Sequence, residues 1–175
     1  MLKTFTEFVS AHNLISPSER VLLAVSGGLD SVVMTALFHK AGFSFVIAHC
    51  NFCLRGEESN ADEAFVKQLA THYEVPYDVK NFDTEQEAKK RGDSIQVAAR
   101  ELRYDWFLSL VKEENYQKLA TAHHRTDLLE TQLINLTRGT GLSGLKGFST
   151  KQELIIRPLL CSTREELAAY ADSEG

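Results

Sequence analysis

The stretch R-V-L-L-A-V-S-G-G-L-D-S, residues 20–31, decides the fold and the first functional hypothesis. Its apolar run Val21–Val25 predicts a buried strand, Ser26–Leu29 predicts a turn, and Asp30 opens a helical pattern. A glycine turn between a strand and a helix presents free backbone N–H groups and the positive end of the helix dipole to an anion. The sequence therefore predicts a phosphate site at this turn.

This phosphate site differs from the Walker-type loop of kinases and GTPases. A Walker loop carries a Lys that reaches the terminal phosphates, and apolar residues follow Ser31 instead. Asp30 stands where phosphate would sit, which is reasonable if a divalent cation bridges it to phosphate oxygens. The alternative is a tight turn capped by Asp30 or Ser31. S-G-G alone favours that alternative, whereas the full S-G-G-L-D-S after a buried strand favours phosphate.

The composition is that of an ordinary globular protein. The 175 residues predict one domain, and 43% hydrophobic and 25% charged residues are typical of a soluble chain. We expect a cytoplasmic protein with no membrane span, because no apolar run is long enough and the three cysteines follow no export signal. The net charge of −5 does not by itself indicate nucleic-acid binding.

Strand-like and helix-like segments alternate along the chain. They predict an α/β, Rossmann-like fold: a five-stranded parallel sheet with helices on both faces. The predicted strands are Val21–Val25, Phe43–His49, Val75–Phe82, Lys118–Ala122 and Leu154–Arg157. The predicted helices are an amphipathic one at the N-terminus, Ser31–Ala41, Glu57–Tyr73, Asp93–Glu114, Asp127–Arg138 and one near Thr163, where Glu166 completes a capping box. Ligands of such sheets bind at the carboxyl ends of the strands.

The loop after the second strand reads H-C-N-F-C-L-R-G-E-E-S. His49, Cys50 and Cys53 resemble half of a zinc or iron–sulfur site, but Cys161 stands alone, so the ligand count does not favour a metal. Arg55, followed by a glycine and two glutamates, predicts a turn and an acidic first helical turn.

Two arginines lie three residues apart on the long predicted helix. Arg100 and Arg103 share one helix face. They could grip a phosphate or a base, or form a solvated face, and the spacing alone favours the solvated face.

Two adjacent histidines follow the fourth predicted strand. His123 or His124 could donate to phosphate or act as an acid/base group near neutral pH. The alternative is simple helix capping by Thr126 or Asp127. The residues leave both interpretations open.

A glycine-rich segment follows the next helix. Gly139, Gly141 and Gly144 match G-x-G-x-x-G, but a dinucleotide fingerprint follows a strand and opens a helix, and this segment does the reverse. We expect a mobile flap at the active edge of the sheet. Arg138 and Lys146 would give it positive charge to close over an anion, and a merely structural loop is the alternative.

With these loops in place, the sequence resembles the tRNA(Ile)-lysidine synthetases, within the PP-loop (N-type) ATP pyrophosphatases. The superfamily signature S-G-G-x-D-S occupies residues 26–31. The other matches follow in the family's order: H-x-N-x-x-L-R-G-E-E-S at 49–59, A-A-R-x-L-R-Y-x-W-F at 98–107, A-T-A-H-H at 120–124, D-x-x-E-T at 127–131, L-x-R-G-T-G-L-x-G-L at 136–145 and I-R-P-L-L at 156–160.

The resemblance implies an adenine nucleotide alpha hydrolase-like fold and a two-step ligation that uses ATP and Mg²⁺. ATP would adenylate the C2 oxygen of the wobble cytidine in tRNA(Ile) with a CAU anticodon and release pyrophosphate. The ε-amine of free L-lysine would then displace AMP and leave lysidine.

The resemblance also implies roles for individual residues. The expected catalytic residues are Asp30, Arg103 and His123. The expected ATP-binding residues are Ser26, Gly27, Gly28, Leu29, Asp30, Ser31, His49, Arg100 and His124. Contacts to tRNA or through the flap are expected from Arg55, Arg138, Gly139 and Gly141. The expected metal ligands are Asp30 for Mg²⁺ and, further along, Asp127.

The chain departs from the family pattern in three ways. Thr126 replaces one of two acids that usually follow the paired histidines, Cys53 stands where a His is usual, and the family continues beyond Gly175. We expect residues 1–175 to form a single PP-loop ATP-binding catalytic domain, truncated, without the C-terminal tRNA-binding domains; their absence would account for the acidic charge. The oligomeric state stays open, a homodimer included.

Two other functions compete with lysidine formation. One is a tRNA-thiolating enzyme of the same superfamily, although Cys50 and Cys53 lie in a different loop from the cysteines of the cytidine thiolases. The other is a nucleotide-binding module that is inactive on its own.

Overall fold

A six-stranded sheet forms the centre of the computed structural model, which describes residues 1–137 and 147–174. The strands are β1 (Arg20–Ala24), β2 (Ser44–Asn51), β3 (Tyr77–Asn81), β4 (Lys118–Ala120), β5 (Lys151–Gln152) and β6 (Ile155–Ile156). Their order across the sheet is β3-β2-β1-β4-β6-β5. All neighbouring strands are parallel except β5 and β6, which are antiparallel. The predicted α/β class and parallel sheet are therefore confirmed.

The predicted number of strands was wrong by one. β5 adds an antiparallel edge strand through a tight turn at Glu153, whose φ is +50°. A strand of two residues is too short for a hydrophobic period, and this turn has none of the glycine or asparagine pairs that mark a hairpin. The sequence therefore carried no signal for it.

Seven α-helices and one 3₁₀ turn are found in the described residues. The helices are α1 (Leu2–Ala11), α2 (Leu29–Lys40), α3 (Glu57–His72), α4 (Thr84–Arg91), α5 (Ile95–Glu113), α6 (Arg125–Thr137) and α7 (Arg164–Glu174), and the 3₁₀ turn is Pro158–Cys161. The predicted capping box of α7 is confirmed, because Thr163 N–H donates to Glu166 Oε2 at 2.8 Å and Glu166 N–H donates to Thr163 Oγ1 at 3.3 Å.

Helix α4 is absent from the prediction. Asp83 caps its start by accepting from Gln86 N–H at 3.1 Å, and Gly92 ends it in the left-handed conformation with φ of +71°. Both are recognised helix-end signals. They were overlooked because the helix is short and polar, with no apolar stripe between its ends.

The sheet is covered on both faces, as its apolar strands require. Val21 and Leu23 of β1 pack with α1, α2, α3 and α7 on one face, while Leu22 packs with α5 on the other. Trp106 and Phe107 are the large aromatic contributions of α5 to that second core. The two cores fix the carboxyl ends of the strands, from which the site is built.

None of the helices in the described part of the chain is both long enough and apolar enough to cross a membrane.

Candidate active site

A cleft opens at the carboxyl edge of the sheet, between the ends of β1 and β4. The strand order changes direction there, with β2 and β3 on one side of β1 and β4 and β6 on the other. Such switch points are where open α/β sheets bind ligands. The residues lining the cleft are Ala24, Val25, Ser26, Gly28, Asp30, Ser31, Cys50, Phe52, Arg103, Tyr104, Phe107, Thr121, Ala122 and His123.

The cleft brings together residues that are far apart in sequence. Of the expected site residues, its walls contain Ser26, Gly28, Asp30, Ser31, Arg103 and His123. Phe52, Tyr104 and Thr121 also line it, and sequence reasoning assigned no role to them. Phe52 lies within the motif at 49–59 and Tyr104 within the motif at 98–107. Only the fold shows that both side chains line the same cleft.

Two serine hydroxyls hold the loop between β1 and α2. Ser31 Oγ donates to the Gly28 carbonyl at 2.8 Å and accepts from Ser26 N–H at 3.2 Å. Because the Ser31 proton is used there, the Ser26 hydroxyl donates across the 3.3 Å between the two hydroxyl oxygens. Gly28 N–H donates to Ser26 Oγ at 3.3 Å. These bonds preset the shape of the loop.

The two glycines leave the N-terminus of α2 open to a ligand. Gly27 has a φ of +92°, where a side chain is strained, and a Cβ there would lie 3.5 Å from Val66 Cγ2 of α3. Gly28 is the N-cap residue and supplies no capping side chain. The first N–H groups of α2, beginning with Leu29, therefore remain available together with the helix dipole. The geometry is that of an anion site.

Asp30 offers a carboxylate oxygen without a partner. Its Oδ1 is buried and accepts no hydrogen bond from any described residue, although buried polar atoms are normally satisfied. A divalent cation would satisfy it, since oxygen ligands suit Mg²⁺. No three His, Cys, Asp or Glu side chains converge on a common point in residues 1–137 and 147–174. A cation here would therefore need oxygens from a ligand as well, and the residues present fit that arrangement.

His124 lies between Asp30 and Asp127. Asp127 N–H donates to His124 Nδ1 at 3.3 Å, and Asp127 Oδ2 accepts from His124 N–H at 2.9 Å. This reciprocal pair caps α6. Of the two capping residues that the sequence offered, Asp127 and not Thr126 takes part in it, and its partner is His124. Accepting at Nδ1 leaves the imidazole proton on Nε2, which lies 3.7 Å from Asp30 Oδ2. His124 thus connects the cap of α6 to the carboxylate of the loop.

His123 faces the cleft as a neutral imidazole. Its Nδ1 lies 2.9 Å from Thr121 Oγ1, and its ring packs against Phe148 with centroids 5.1 Å apart. Burial lowers the pKa of His123 from 6.5 to about 4, and the positive charge of Arg157 lowers it further in the same direction. His123 is therefore a hydrogen-bonding group at pH 7 and not an acid that titrates there.

The lowered pKa of His123 predicts a pH dependence of stability. Between pH 6.5 and about 4 the unfolded chain binds a proton at this position that the native protein does not. Stability from this group is therefore fully present above pH 6.5 and falls as the pH drops, by at most about 1.4 kcal/mol per pH unit. Urea unfolding of wild type and His123→Asn should be measured across this range. The free energy of unfolding of wild type, relative to that of His123→Asn, should fall toward low pH. A difference that is constant with pH would contradict the lowered pKa of His123.

Arg103 presents its guanidinium to the cleft without an acidic partner. Within the described residues it forms no ion pair and no hydrogen bond, and its Cζ lies 5.1 Å from the centroid of the Phe52 ring. An exposed arginine is normally hydrated, but this one also lines the cleft. Its five N–H donors remain free for an anion, and its expected catalytic role stays a prediction.

A recess adjoins the cleft and shares Tyr104 and His123 with it. Its lining carries both signs of charge and consists of Arg100, Tyr104, His123, Asp127, Glu130, Thr131, Ile134, Phe148 and Arg157. Arg157 is 5% exposed, and its Nη1 donates to the Ser149 carbonyl at 2.6 Å. Its Nε has no partner among the described residues, and burial lowers its pKa. Arg157 belongs to the I-R-P-L-L motif, which gave it no role before the fold was known.

Two further expected site residues, His49 and Arg55, form hydrogen bonds to other residues of the chain. His49 is 3% exposed and does not line the cleft; its Nδ1 donates to the Val25 carbonyl at 2.8 Å and so holds the end of β1. Arg55 donates to Asp62 Oδ2 at 2.7 Å across the first turns of α3. Their expected contacts to ATP and tRNA stay predictions.

The cysteines do not form a metal site in the described residues. Cys50 lines the cleft, Cys53 is exposed and Cys161 is buried. Burial raises the pKa of the Cys50 thiol to about 12, although Arg103 and Lys80 act in the opposite direction. A thiol of that pKa is protonated at neutral pH and is a weak nucleophile in that form. Sulfur transfer through a Cys50 thiolate therefore has little support here.

The predicted flap cannot be placed. Arg138, Gly139, Gly141, Gly144 and Lys146 lie outside the described residues.

Known proteins resemble this chain along almost its whole length. The PP-loop domain model matches residues 2–175. The tRNA(Ile)-lysidine synthase of Bacteroides thetaiotaomicron is 45% identical over 168 residues, covering 96% of this chain and 39% of the relative. That of Porphyromonas gingivalis is 50% identical over 151 residues, covering 86% of this chain and 33% of the relative. The chain thus spans about two fifths or less of the length of these relatives.

Solved structures show the same fold at low sequence identity. A U34-tRNA thiolase from Methanococcus maripaludis with its 4Fe–4S cluster has a TM-score of 0.77 at 19% identity, covering 97% of this chain and 62% of that one. An NH₃-dependent NAD synthetase from Campylobacter jejuni has a TM-score of 0.68 at 14% identity, covering 99% and 71%. At these identities the likeness concerns the fold alone. Because the family model covers almost the whole chain and its signature loop lies in the cleft, this chain belongs to the PP-loop domain family.

Proposed function

We propose that the protein containing this domain ligates lysine to the wobble cytidine of tRNA(Ile), using ATP and releasing pyrophosphate and AMP. The observation that carries the proposal is the open, uncapped loop Ser26–Ser31 in a chain that is 45% identical to a tRNA(Ile)-lysidine synthase over nearly its whole length. The loop supplies an anion site, and the relatives supply the reaction to which such a site belongs.

ATP would bind with its terminal phosphates on the loop. The free N–H groups at the start of α2 are the donors, and Gly27 and Gly28 let the phosphates approach the backbone. The loop has no lysine to follow a transferred γ-phosphoryl group. It instead suits a pyrophosphate that stays on the loop while the α-phosphate reacts.

Asp30 is the residue that would hold Mg²⁺. Its partner-free Oδ1 is the support for this assignment. When bound, the ion would neutralise charge on the phosphate oxygens. His124, whose Nε2 faces the other carboxylate oxygen at 3.7 Å, would keep Asp30 oriented. The role of Asp127 as a second metal ligand is harder to combine with its use as the cap of α6.

Arg103 and His123 would stabilise the charge that develops on the α-phosphate. Both line the cleft, Arg103 with free donors and His123 as a neutral imidazole. Fixed donors aimed at developing charge are the largest source of catalysis in such sites. The low pKa of His123 favours hydrogen bonding by the imidazole over proton donation by an imidazolium at pH 7.

The neighbouring recess would receive free lysine. Its carboxylates, Asp127 and Glu130, suit an ammonium group, and its guanidinium groups, Arg100 and Arg157, suit a carboxylate. It shares His123 with the cleft, so an amine held there would be near the activated base. The net charge of −5 gives the domain little attraction for tRNA. In a protein of the relatives' length, we expect additional residues to supply those contacts.

The product identifies the reaction. The whole protein that contains residues 1–175 should be incubated with tRNA(Ile), ATP, Mg²⁺ and lysine, and the digested nucleosides analysed by mass spectrometry. Lysidine should form with lysine and not with glutamate or ornithine in its place. Formation of 2-thiocytidine with a sulfur donor, or no modified cytidine with any amino acid, would refute the proposal. If ATP binding persisted without a product, the chain would be a nucleotide-binding module.

A further inference from the structure

We propose that Phe52 is a positioning residue that fixes the guanidinium of Arg103 in the cleft. The inference rests on the proposed role of Arg103 in charge stabilisation. Phe52 would affect the reaction through Arg103 and not by contact with the substrate. The ring would hold one orientation of an arginine that has no acidic partner among the described residues.

The two side chains form one end of a stacked column. The Arg103 Cζ lies 5.1 Å from the centroid of the Phe52 ring. The Phe52 ring also stacks on Phe82, with centroids 5.7 Å apart and an interplanar angle of 19°. Phe82 is 7% exposed and in turn meets Trp106 edge to face at 6.3 Å. The column therefore runs from the buried core of α5 out to the guanidinium.

The column replaces the contacts that usually hold a functional arginine. Arg103 is exposed and has no ion pair or hydrogen bond within the described residues, so nothing polar in that part of the protein restricts its rotamers. A free arginine loses appreciable side-chain entropy when it engages a ligand. Stacking on an aromatic face reduces that loss and leaves all five N–H donors available, which an ion pair would not do.

The position of Phe52 in the chain explains how the column is anchored. Phe52 follows directly after β2, and the preceding Asn51 is 2% exposed. Asn51 Nδ2 donates to Glu63 Oε2 at 2.8 Å, and its carbonyl accepts from Phe82 N–H at 2.8 Å. The backbone on both sides of the stack is thereby tied together. Asn51 anchors the backbone next to Phe52, and the Phe52 ring contacts the Arg103 guanidinium.

The stack can be tested by substitutions in the whole protein. Phe52→Leu keeps an apolar side chain but removes the ring; it should lower kcat for adenylation about 5- to 10-fold with the KM for ATP nearly unchanged. Phe52→Tyr keeps the ring face and should restore kcat to within about 2-fold. Phe45→Leu is the matched control, because Phe45 is a buried aromatic of β2, the strand that Phe52 follows, and its ring contacts Phe38 and does not line the cleft. It should leave kcat unchanged.

A double-mutant cycle separates this inference from the role of Arg103 itself. Arg103→Lys retains the charge but cannot stack as a plane. It should lower kcat, and Phe52→Leu should cause no further loss in that background. Equal losses in both backgrounds, or a change in the KM for ATP alone, would refute positioning by Phe52. If Arg103→Lys left kcat unchanged, the proposed role of Arg103 would fall as well.

The nuclear magnetic resonance of Arg103 gives an independent readout. With Cζ held 5.1 Å from the centroid of the Phe52 ring, the Nε–H proton should resonate upfield of the same proton in exposed arginines. This shift should disappear in Phe52→Leu and persist in Phe52→Tyr and Phe45→Leu. A spectrum that is the same in all four proteins would show that the stack does not exist in solution and would overturn the inference.

Discussion

Replacing Asp30 by Asn should abolish adenylation of the tRNA while the domain stays folded. The amide keeps the size of the side chain but loses the charge that a divalent cation requires. Asp30 Oδ1 accepts no hydrogen bond from a described residue. Replacing this oxygen by the amide nitrogen of Asn therefore breaks no hydrogen bond within the described residues. We expect release of pyrophosphate to fall by at least about a thousandfold, on the scale of removing an essential electrostatic group. Pyrophosphate release and urea unfolding should both be measured.

Asp105→Asn provides the control for Asp30→Asn. Asp105 is an exposed acid of α5 that does not line the cleft, so its substitution removes the same charge from the protein as a whole. Activity within about twofold of wild type is expected, since isolated surface changes are usually small. Comparable loss in both variants would show a general effect of charge. Full activity of Asp30→Asn would eliminate the proposed metal ligand.

Replacing Arg103 by Gln should lower kcat by about 100- to 1000-fold. That range is typical when one donor aimed at developing charge is lost. The KM for ATP should change little, because in the proposed arrangement the loop Ser26–Ser31, and not Arg103, would hold the terminal phosphates. Arg164→Gln, an exposed arginine at the start of α7, is the matched control. A rise in KM with kcat unchanged would mean that Arg103 only binds substrate.

The order of strands and helices could be predicted because it depends on local pattern. Val21–Val25 is apolar at every position, which occurs in a strand buried on both faces, and the two cores against Leu22 and Leu23 bear this out. The Thr163–Glu166 capping box could be predicted because it too is a local sequence pattern. β5 and α4 were missed because one has no period and the other has no apolar stripe.

The candidate site could be predicted in part. The loop and Arg103 could be proposed because motifs mark them, and the fold places Ser26, Gly28, Asp30, Ser31 and Arg103 on one cleft, while their roles stay predictions. The reciprocal cap between His124 and Asp127 could not be chosen from the sequence, since Thr126 offers an equally good capping side chain. Phe52 was not recognised because its role depends on Arg103, which lies far from it in the sequence.

The central claim is that the loop Ser26–Ser31 holds the terminal phosphates of ATP while the bond between the α- and β-phosphates breaks. ATP labelled at the γ-phosphate tests it most directly, with the whole protein, tRNA(Ile), lysine and Mg²⁺ present. We expect the label to leave as pyrophosphate, in amounts equal to the AMP formed, and Asp30→Asn to stop its release. Release of the label as orthophosphate with formation of ADP would show that the bond between the β- and γ-phosphates breaks instead.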